Sequence, residues 1–345
     1  VDVRLSAEQV ALRDSVASAV AKLGPRSVAD LDDVRRSARL DAVVEAAGWR
    51  EIRMADDDGS PLASGVEVAI VAEELGAGAA DVPYLGPILA AELRRLAGLP
   101  VATVRETVAL TADMESLASP RGHGWGGALC PDAAGAATSL ARSDGGGAIV
   151  SVELSVEGDH MDLTRPIARV RSDCTHEDLG GVLHADAATR WEALALALTS
   201  ADLVGAMRGA VAIGRTYAAD RHQYGTPIGS FQAVQHMLAD AYVMMEGSHS
   251  AALQAAWAVD ALEPAEALAT AAGAKAWCSR AARSVCETVI QVHGGIGNTW
   301  ECMAHVFLRR ALGAIDVLGG EGPNLERVLA HRGVSGLAAT TGTGS

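Results

Sequence analysis

Glu321 stands in a run of glycines near the end of the chain, within AIDVLGGEGPNLERVL (314–329). A carboxylate on a Gly-rich turn can serve as a general base, and an acidic residue equally suits the first turn of a helix. A second stretch, DRHQYGTPIGSFQAVQHMLAD (220–240), joins two helical patterns through Gly225, Pro227 and Gly229. Arg221 ends the first pattern and Ser230, Phe231 and Gln232 open the second. A helix N-terminus beside a guanidinium makes a diphosphate site; alternatively, Arg221 caps its own helix and pairs with surface carboxylates. A third stretch, QVHGGIGNTWE (291–301), offers Gly294, Gly295 and Gly297 where a backbone can approach a ligand, with the Gln291 amide ready to hydrogen-bond. An ordinary interhelical turn has the same composition. His293 beside it reads as a satisfied, partly buried histidine.

Composition narrows what these residues can serve. The 345-residue chain has 49% hydrophobic but only 3% aromatic residues, so its core is built of Ala, Leu and Val, which favours packed helices over a β-sandwich. A net charge of -15, with no basic run longer than Arg309-Arg310, argues against a nucleic-acid partner. Cys130, Cys174, Cys278, Cys286 and Cys302 lack zinc-type spacing and read as isolated thiols of a reducing, cytoplasmic setting. No metal site is expected. The first twenty residues mix charge into the apolar pattern, unlike a secretory leader, and no uninterrupted apolar run is long enough to predict a membrane span.

The elements that must position the candidates fall in three regions and a tail. Residues 1–100 read as an N-terminal helical domain: Leu12, Val16, Val20 and Leu23 recur at helical spacing, Ser6 and Gln9 have the form of a capping box, and GVEVAIVAEELG (65–76) reads as a buried helix closed by Gly76. Residues 101–185 read as a small middle β domain with strand-like runs at 106–112, 147–156 and 166–172, and with 132–147 as an irregular loop or weak hairpin. Residues 186–335 read as a four-helix bundle, in which Phe231, Val234, Leu238, Ala241, Tyr242 and Met245 form one apolar face. The tail, 336–345, is predicted to be disordered.

The 220–240 stretch resembles the Arg-x-x-aromatic-Gly-x-x-[Ile/Leu]-x-x-[Phe/His]-Gln-x-[Val/Ile] segment of the acyl-CoA dehydrogenase family. QVHGGIGNTWE followed by HVFLRRA is similar to that family's Gln-x-x-Gly-Gly-x-Gly segment and the helix after it. DLTRPIARV (162–170) looks like the end of its middle domain. The resemblance is strong over 186–335, moderate over 1–100 and poor over 101–160. It implies a mainly α fold with a small central β unit, and FAD-dependent oxidation of an acyl-CoA to its 2,3-enoyl form. A carboxylate would take the α-proton, and FAD would be shared across a subunit interface. By motif position Arg221, Tyr224, Ile228 and Phe231 would contact FAD held mainly by the neighbouring subunit, and Gln291, Gly294 and Gly295 would close over its ADP half.

The same resemblance marks where this chain departs. The base of the commonest subfamilies would fall at Leu318 counting forward from Arg309, or at Gly320 counting back from Arg327; Glu321 matches neither. Other subfamilies place the base ten residues before a Gly that matches Gly205, which is Ala195 here, with Glu192 almost one helical turn earlier, about 4.5 Å along the axis. A CoA-binding Arg of those subfamilies is replaced by Leu196. Of the flavin loops only ALTADMESLAS (109–119) is recognisable, and GGALCPDAAGAATS stands where a Trp-x-x-[Thr/Ser] loop belongs. The expectation is a non-catalytic member of a heteromeric (α2β2) acyl-CoA dehydrogenase of actinobacterial steroid degradation. Such a chain would complete the FAD site of a homologous partner that handles the acyl-CoA. The alternatives are an active homomeric enzyme using Glu321 or Glu192, and a helical scaffold without flavin.

Overall fold

Helices begin where the sequence supplies caps. In a computed structural model that describes residues 4–120, 124–144, 146–156, 161–171 and 174–333, α1 (Ala7–Leu23) opens with the expected box. The Gln9 amide donates to Ser6 Oγ at 3.2 Å, and the Ser6 amide donates to Gln9 Oε1 at 2.9 Å. Asp33 caps α2 (Val34–Ala46), Ser64 caps α3 (Gly65–Ala77), and α4 (Leu85–Leu96) completes the N-terminal helices. The predicted disordered tail, 336–345, lies outside the described residues.

Gly76 does not close α3, contrary to the sequence reading; the helix runs on to Ala77 and is capped by Gly78. Gly76 serves packing instead. A methyl group there would lie 2.7 Å from the Asp202 carbonyl oxygen, and one at Gly205 would lie 2.2 Å from that of Glu73. Two backbones therefore meet where neither residue carries a Cβ, and an Ala-rich core reaches high density through such approaches.

The middle unit is a six-stranded sheet: β1 (Glu106–Val108), β2 (Leu129–Cys130), β3 (Thr138–Arg142), β4 (Ala148–Val156), β5 (Ala168–Val170) and β6 (His176–Val182). Its order is β1-β3-β4-β5-β2, with β6 also paired to β4; β1 and β3 run parallel and every other pair is antiparallel. The stretch expected as a loop or weak hairpin contributes β3, which pairs with β4 from Thr138↔Glu153 to Arg142↔Ile149. Strand β6 went unpredicted because its sequence, HEDLGGV, is mostly polar and exposed and carries two glycines before its last residue.

The C-terminal half is α5 (Ala185–Asp220), α6 (Gln232–Ala261), α7 (Pro264–His293), α8 (Ala304–Asp316) and α9 (Glu321–His331). Helix α5 is long and apolar enough to cross a membrane by length and composition, which a search for uninterrupted apolar runs passes over. Of its most apolar window 83% is buried inside the protein, as befits the central helix of a bundle. The apolar face predicted on α6 is split. Ala241 and Met245 are buried, whereas Tyr242 is 47% exposed, because a neighbour in sequence is turned about 100° around the helix.

Candidate functional site

Helix α5 stops at Asp220 because Arg221 leaves helical geometry while its amide still reaches the Tyr217 carbonyl at 2.9 Å. The chain then forms a two-residue hairpin, β7 (His222–Gln223) and β8 (Thr226–Pro227), closed by Tyr224 and Gly225 at φ 52° and 79°. Two consecutive positive φ angles match the twist of a tight hairpin. Glycine adopts them freely, but an aromatic residue does so at a cost of about 1–2 kcal/mol. The Ile228 amide seals the base of the hairpin on the Arg221 carbonyl at 2.7 Å.

The hairpin therefore thrusts Tyr224 outward, 93% exposed, with its ring edge-on to Phe231 at 6.4 Å. Arg221 is also exposed, and among the described residues its guanidinium has no hydrogen-bond or ion-pair partner. It ends its helix by position, but it does not pair with surface carboxylates. Along the base of the hairpin runs an open groove of about 840 Å³, whose lining includes Arg215, Thr216, Gly229 and Ser230.

The glycine-rich segment emerges at the same end of the bundle. His293, the last residue of α7, is buried, its Nδ1 lies 2.8 Å from the Val289 carbonyl oxygen, and its ring stacks on Tyr217 at 4.4 Å. It is the satisfied histidine that the sequence predicts. Tyr217, which sequence reasoning missed, ties the ends of α5 and α7 together; its only signal was its position one turn before Arg221. Beyond the stack, Gln291, Gly294 and Gly295 face solvent, and a Cβ built on either glycine meets nothing within 4 Å. Gly297 differs, since a Cβ there would lie 2.9 Å from the Ile290 carbonyl oxygen.

The candidate bases lie elsewhere, and both face guanidinium groups. Glu321 is the first residue of α9, with Oε1 3.6 Å from Arg280 Nη1 in an exposed pair. Glu192 Oε1 lies 2.8 Å from Arg327 Nε. Each carboxylate shares the lone pairs that a base would need with a neighbouring cation. At the positions the family counts select, Leu318 and Ala195 are fully buried and Gly320 is the N-cap of α9. Leu196 is fully buried as well.

Leu318 and the flavin-loop remnant touch. The Leu318 amide donates to the Met114 carbonyl at 2.8 Å, and both residues are left-handed, at φ 61° and 57°. Leu85, Leu89, Val108, Leu110, Met114, Leu194, Leu198, Val317 and Leu318 belong to one continuous apolar core between the β unit and the bundle. Two cavities lie there, of about 10 and 20 Å³, around Asp132 and Arg165. Each has room for about one water. A flavin ring system fits neither cavity, whereas the unpaired Arg221 and the uncovered glycines on the outer face suit an anionic group.

A buried ion network welds the β unit to the bundle. Arg310 of α8 donates to Asp202 Oδ1 from Nε (3.1 Å) and Nη2 (2.6 Å), and from Nη1 to Thr164 Oγ1 (2.8 Å). Arg165 bridges Asp202 and Asp162 at 2.9 and 3.1 Å. Burial alone would push the Asp162 carboxyl up, but Arg165 and Arg310 beside it hold it below the ordinary range. Asp132, buried without so close a cation, is pushed up. Lys275, fully buried on α7, donates to the Ala314 carbonyl at 2.5 Å, and burial pushes it down to about 7.

Comparison with known proteins agrees with this geometry. Residues 181–330 match the family model described as acyl-CoA dehydrogenase, C-terminal domain. The acyl-CoA dehydrogenase IpdE2 of Mycobacterium tuberculosis is 29% identical over 322 residues, covering 90% of this chain and 93% of that one. FadE34 of the same organism is 41% identical over 141 residues, 41% of this chain, and the match spans only 20% of FadE34. Among solved structures, the Tcur3481–Tcur3483 steroid acyl-CoA dehydrogenase (G363A variant) superposes with a TM-score of 0.77 at 23% identity, covering 94% of this chain and 98% of that one. Residues 181–330 are thus an acyl-CoA dehydrogenase C-terminal domain, and the chain as a whole is similar to acyl-CoA dehydrogenases in sequence and in fold.

Proposed function

We propose that this chain is the non-catalytic subunit of a heteromeric acyl-CoA dehydrogenase, completing the FAD site of a homologous partner that removes the α-proton. The observation that carries the reading is a contrast within one molecule. The crevice between β unit and bundle is filled by Leu318, Met114 and their neighbours, while the motif residues at the bundle end stand open. Arg221 would meet the cofactor diphosphate, Tyr224, Ile228 and Phe231 would give it apolar contact, and Gln291, Gly294 and Gly295 would close over its ADP half. When bound, FAD supplies the acceptor for the substrate's β-hydrogen as hydride, and solved proteins of this fold carry FAD. Neither Glu321 nor Glu192 abstracts a proton in this scheme.

The distribution of aromatic residues supports a partner chain. The protein has six Trp, four Tyr and two Phe, and half of them are exposed: Tyr224, Phe231, Tyr242, Trp257, Trp277 and Trp300. All six lie on α6 and α7 or in the segments that flank them, and exposed aromatic residues are enriched at protein interfaces. A steroid-derived acyl-CoA is the proposed substrate of the complex, since a heteromeric steroid acyl-CoA dehydrogenase shares the fold. Expression decides the matter. The chain alone should purify colourless, and flavin absorbance should appear on co-expression with a full-length homologue. Yellow protein from this chain alone, bleached by an acyl-CoA, would overturn the proposal in favour of a homomeric enzyme.

A further inference from the structure

We infer that α9 is a clasp holding this chain's crevice shut, with Arg327 as its catch. The inference rests on the reading above in one respect, that this crevice is where relatives admit flavin and acyl group. A single guanidinium serves three separate elements. Arg327 Nε lies 2.8 Å from Glu192 Oε1 on α5, Nη2 donates to the Glu115 carbonyl of the β unit at 2.9 Å, and Nη1 donates to the Leu318 carbonyl at 3.0 Å. Asn324 Oδ1 accepts a further bond from Nη1 at 3.0 Å and keeps the fork in place.

Asn324 is itself fully buried, and its amide donates to the carbonyls of Leu318, Gly319 and Gly320 at 3.2, 2.8 and 2.9 Å. One turn of α9 thereby gathers the 318–320 loop and pins it to the 111–116 turn. The pinned contact is under strain at both ends, because Leu318 and Met114 are left-handed residues with side chains, joined by one backbone hydrogen bond. Such conformations persist only where the surroundings over-determine them. With the catch removed, both residues gain by returning to ordinary backbone angles, and the loop leaves the turn. While it is closed, the chain's part in flavin binding is confined to its outer hairpin face.

Hydrogen exchange followed by mass spectrometry on the purified full chain tests this. Arg327→Met keeps the apolar stem and removes every donor. Exchange in 110–118 and 316–326 should accelerate by about tenfold or more, while α6 and α7 keep their parent rates. Glu192→Gln, which leaves both carbonyl acceptors in place, should accelerate the same two segments by a smaller factor. Parent rates in both segments, or acceleration spread evenly over α5–α7, would show Arg327 to be an ordinary structural residue and overturn the clasp. If Arg327→Met does not fold, Glu192→Gln decides alone, since local acceleration supports the clasp and none overturns it. Flavin content is not the readout, so this result stands apart from the fate of the subunit proposal.

Discussion

Arg310 holds Asp202 by two donors on one oxygen, Nε at 3.1 Å and Nη2 at 2.6 Å, with both side chains almost fully buried. Removing one partner strands the other charge in the core. Arg310→Met should cost about 3–5 kcal/mol in urea unfolding. The double variant Arg310→Met/Asp202→Leu should cost less than Arg310→Met alone, although Arg165 then loses one of its two carboxylates. Equal losses in the single and double variants would show that packing, not charge, holds this joint.

Two glycines from different parts of the chain should respond oppositely to one methyl group. Gly205→Ala forces a Cβ to 2.2 Å from the Glu73 carbonyl oxygen, and overpacking of that kind costs about 1–3 kcal/mol. Gly295→Ala meets open space and should leave the melting temperature unchanged while lowering flavin retention in the complex. Unchanged flavin retention would remove Gly295 from the proposed cofactor surface.

Arg221 gives the sharpest separation of stability from binding. Its guanidinium is exposed and unpaired among the described residues, so Arg221→Ala should unfold at the parent's urea midpoint. A hydrogen bond to a charged group is worth about 1.5–3 kcal/mol, so flavin affinity of the complex should fall by about 10- to 100-fold. Flavin titration of the apo-complex measures this, and an unchanged affinity would favour the scaffold reading.

The two carboxylates once suited to base catalysis should prove dispensable for it. Glu321→Gln and Glu192→Gln, each measured in the complex, should keep acyl-CoA turnover within about twofold of the parent, whereas loss of a true base costs orders of magnitude. Collapse of turnover in either variant would assign the base to this chain.

Lys275 predicts a pH dependence of stability with a definite sign. Burial pushes it down to about 7 in the folded protein, while an unfolded lysine titrates near 10.4. Between those values the unfolded state binds more protons, so stability rises with pH across that window. Below it both states are protonated and the full penalty applies; above it both are neutral and the penalty is gone. Lys275→Met should therefore be more stable at neutral pH, by an amount on the order of a few kcal/mol, and should flatten the rise between about pH 7 and 10. Parallel pH profiles of the two proteins would refute this.

Local signals carried much of the architecture. Ser6 and Gln9 bracket the start of α1, the apolar spacing of Val16 and Val20 marks its buried side, and the runs at 106–112, 147–156 and 166–172 contain three of the strands. The hairpin and glycine segments were legible because Gly225 and Gly294 answer to backbone angles that few other residues adopt. Strand β6 was illegible for the converse reason: it is held by its pairing to β4, and its own polar residues give no sign of it.

Residue types within one turn of each other therefore established the helical, β, helical order, the helix caps and the open motif segments, because caps and turns are satisfied by near neighbours. Long-range packing settled the rest. That Gly76 is a contact and not a stop depends on Gly205, and that Glu192 faces a cation depends on Arg327, which lies on another helix. The closure of the crevice requires Leu318 to meet Met114 across two hundred residues of chain. A carboxylate or a glycine has the same chemistry wherever it stands, and the neighbours that direct it arrive only when the chain has folded.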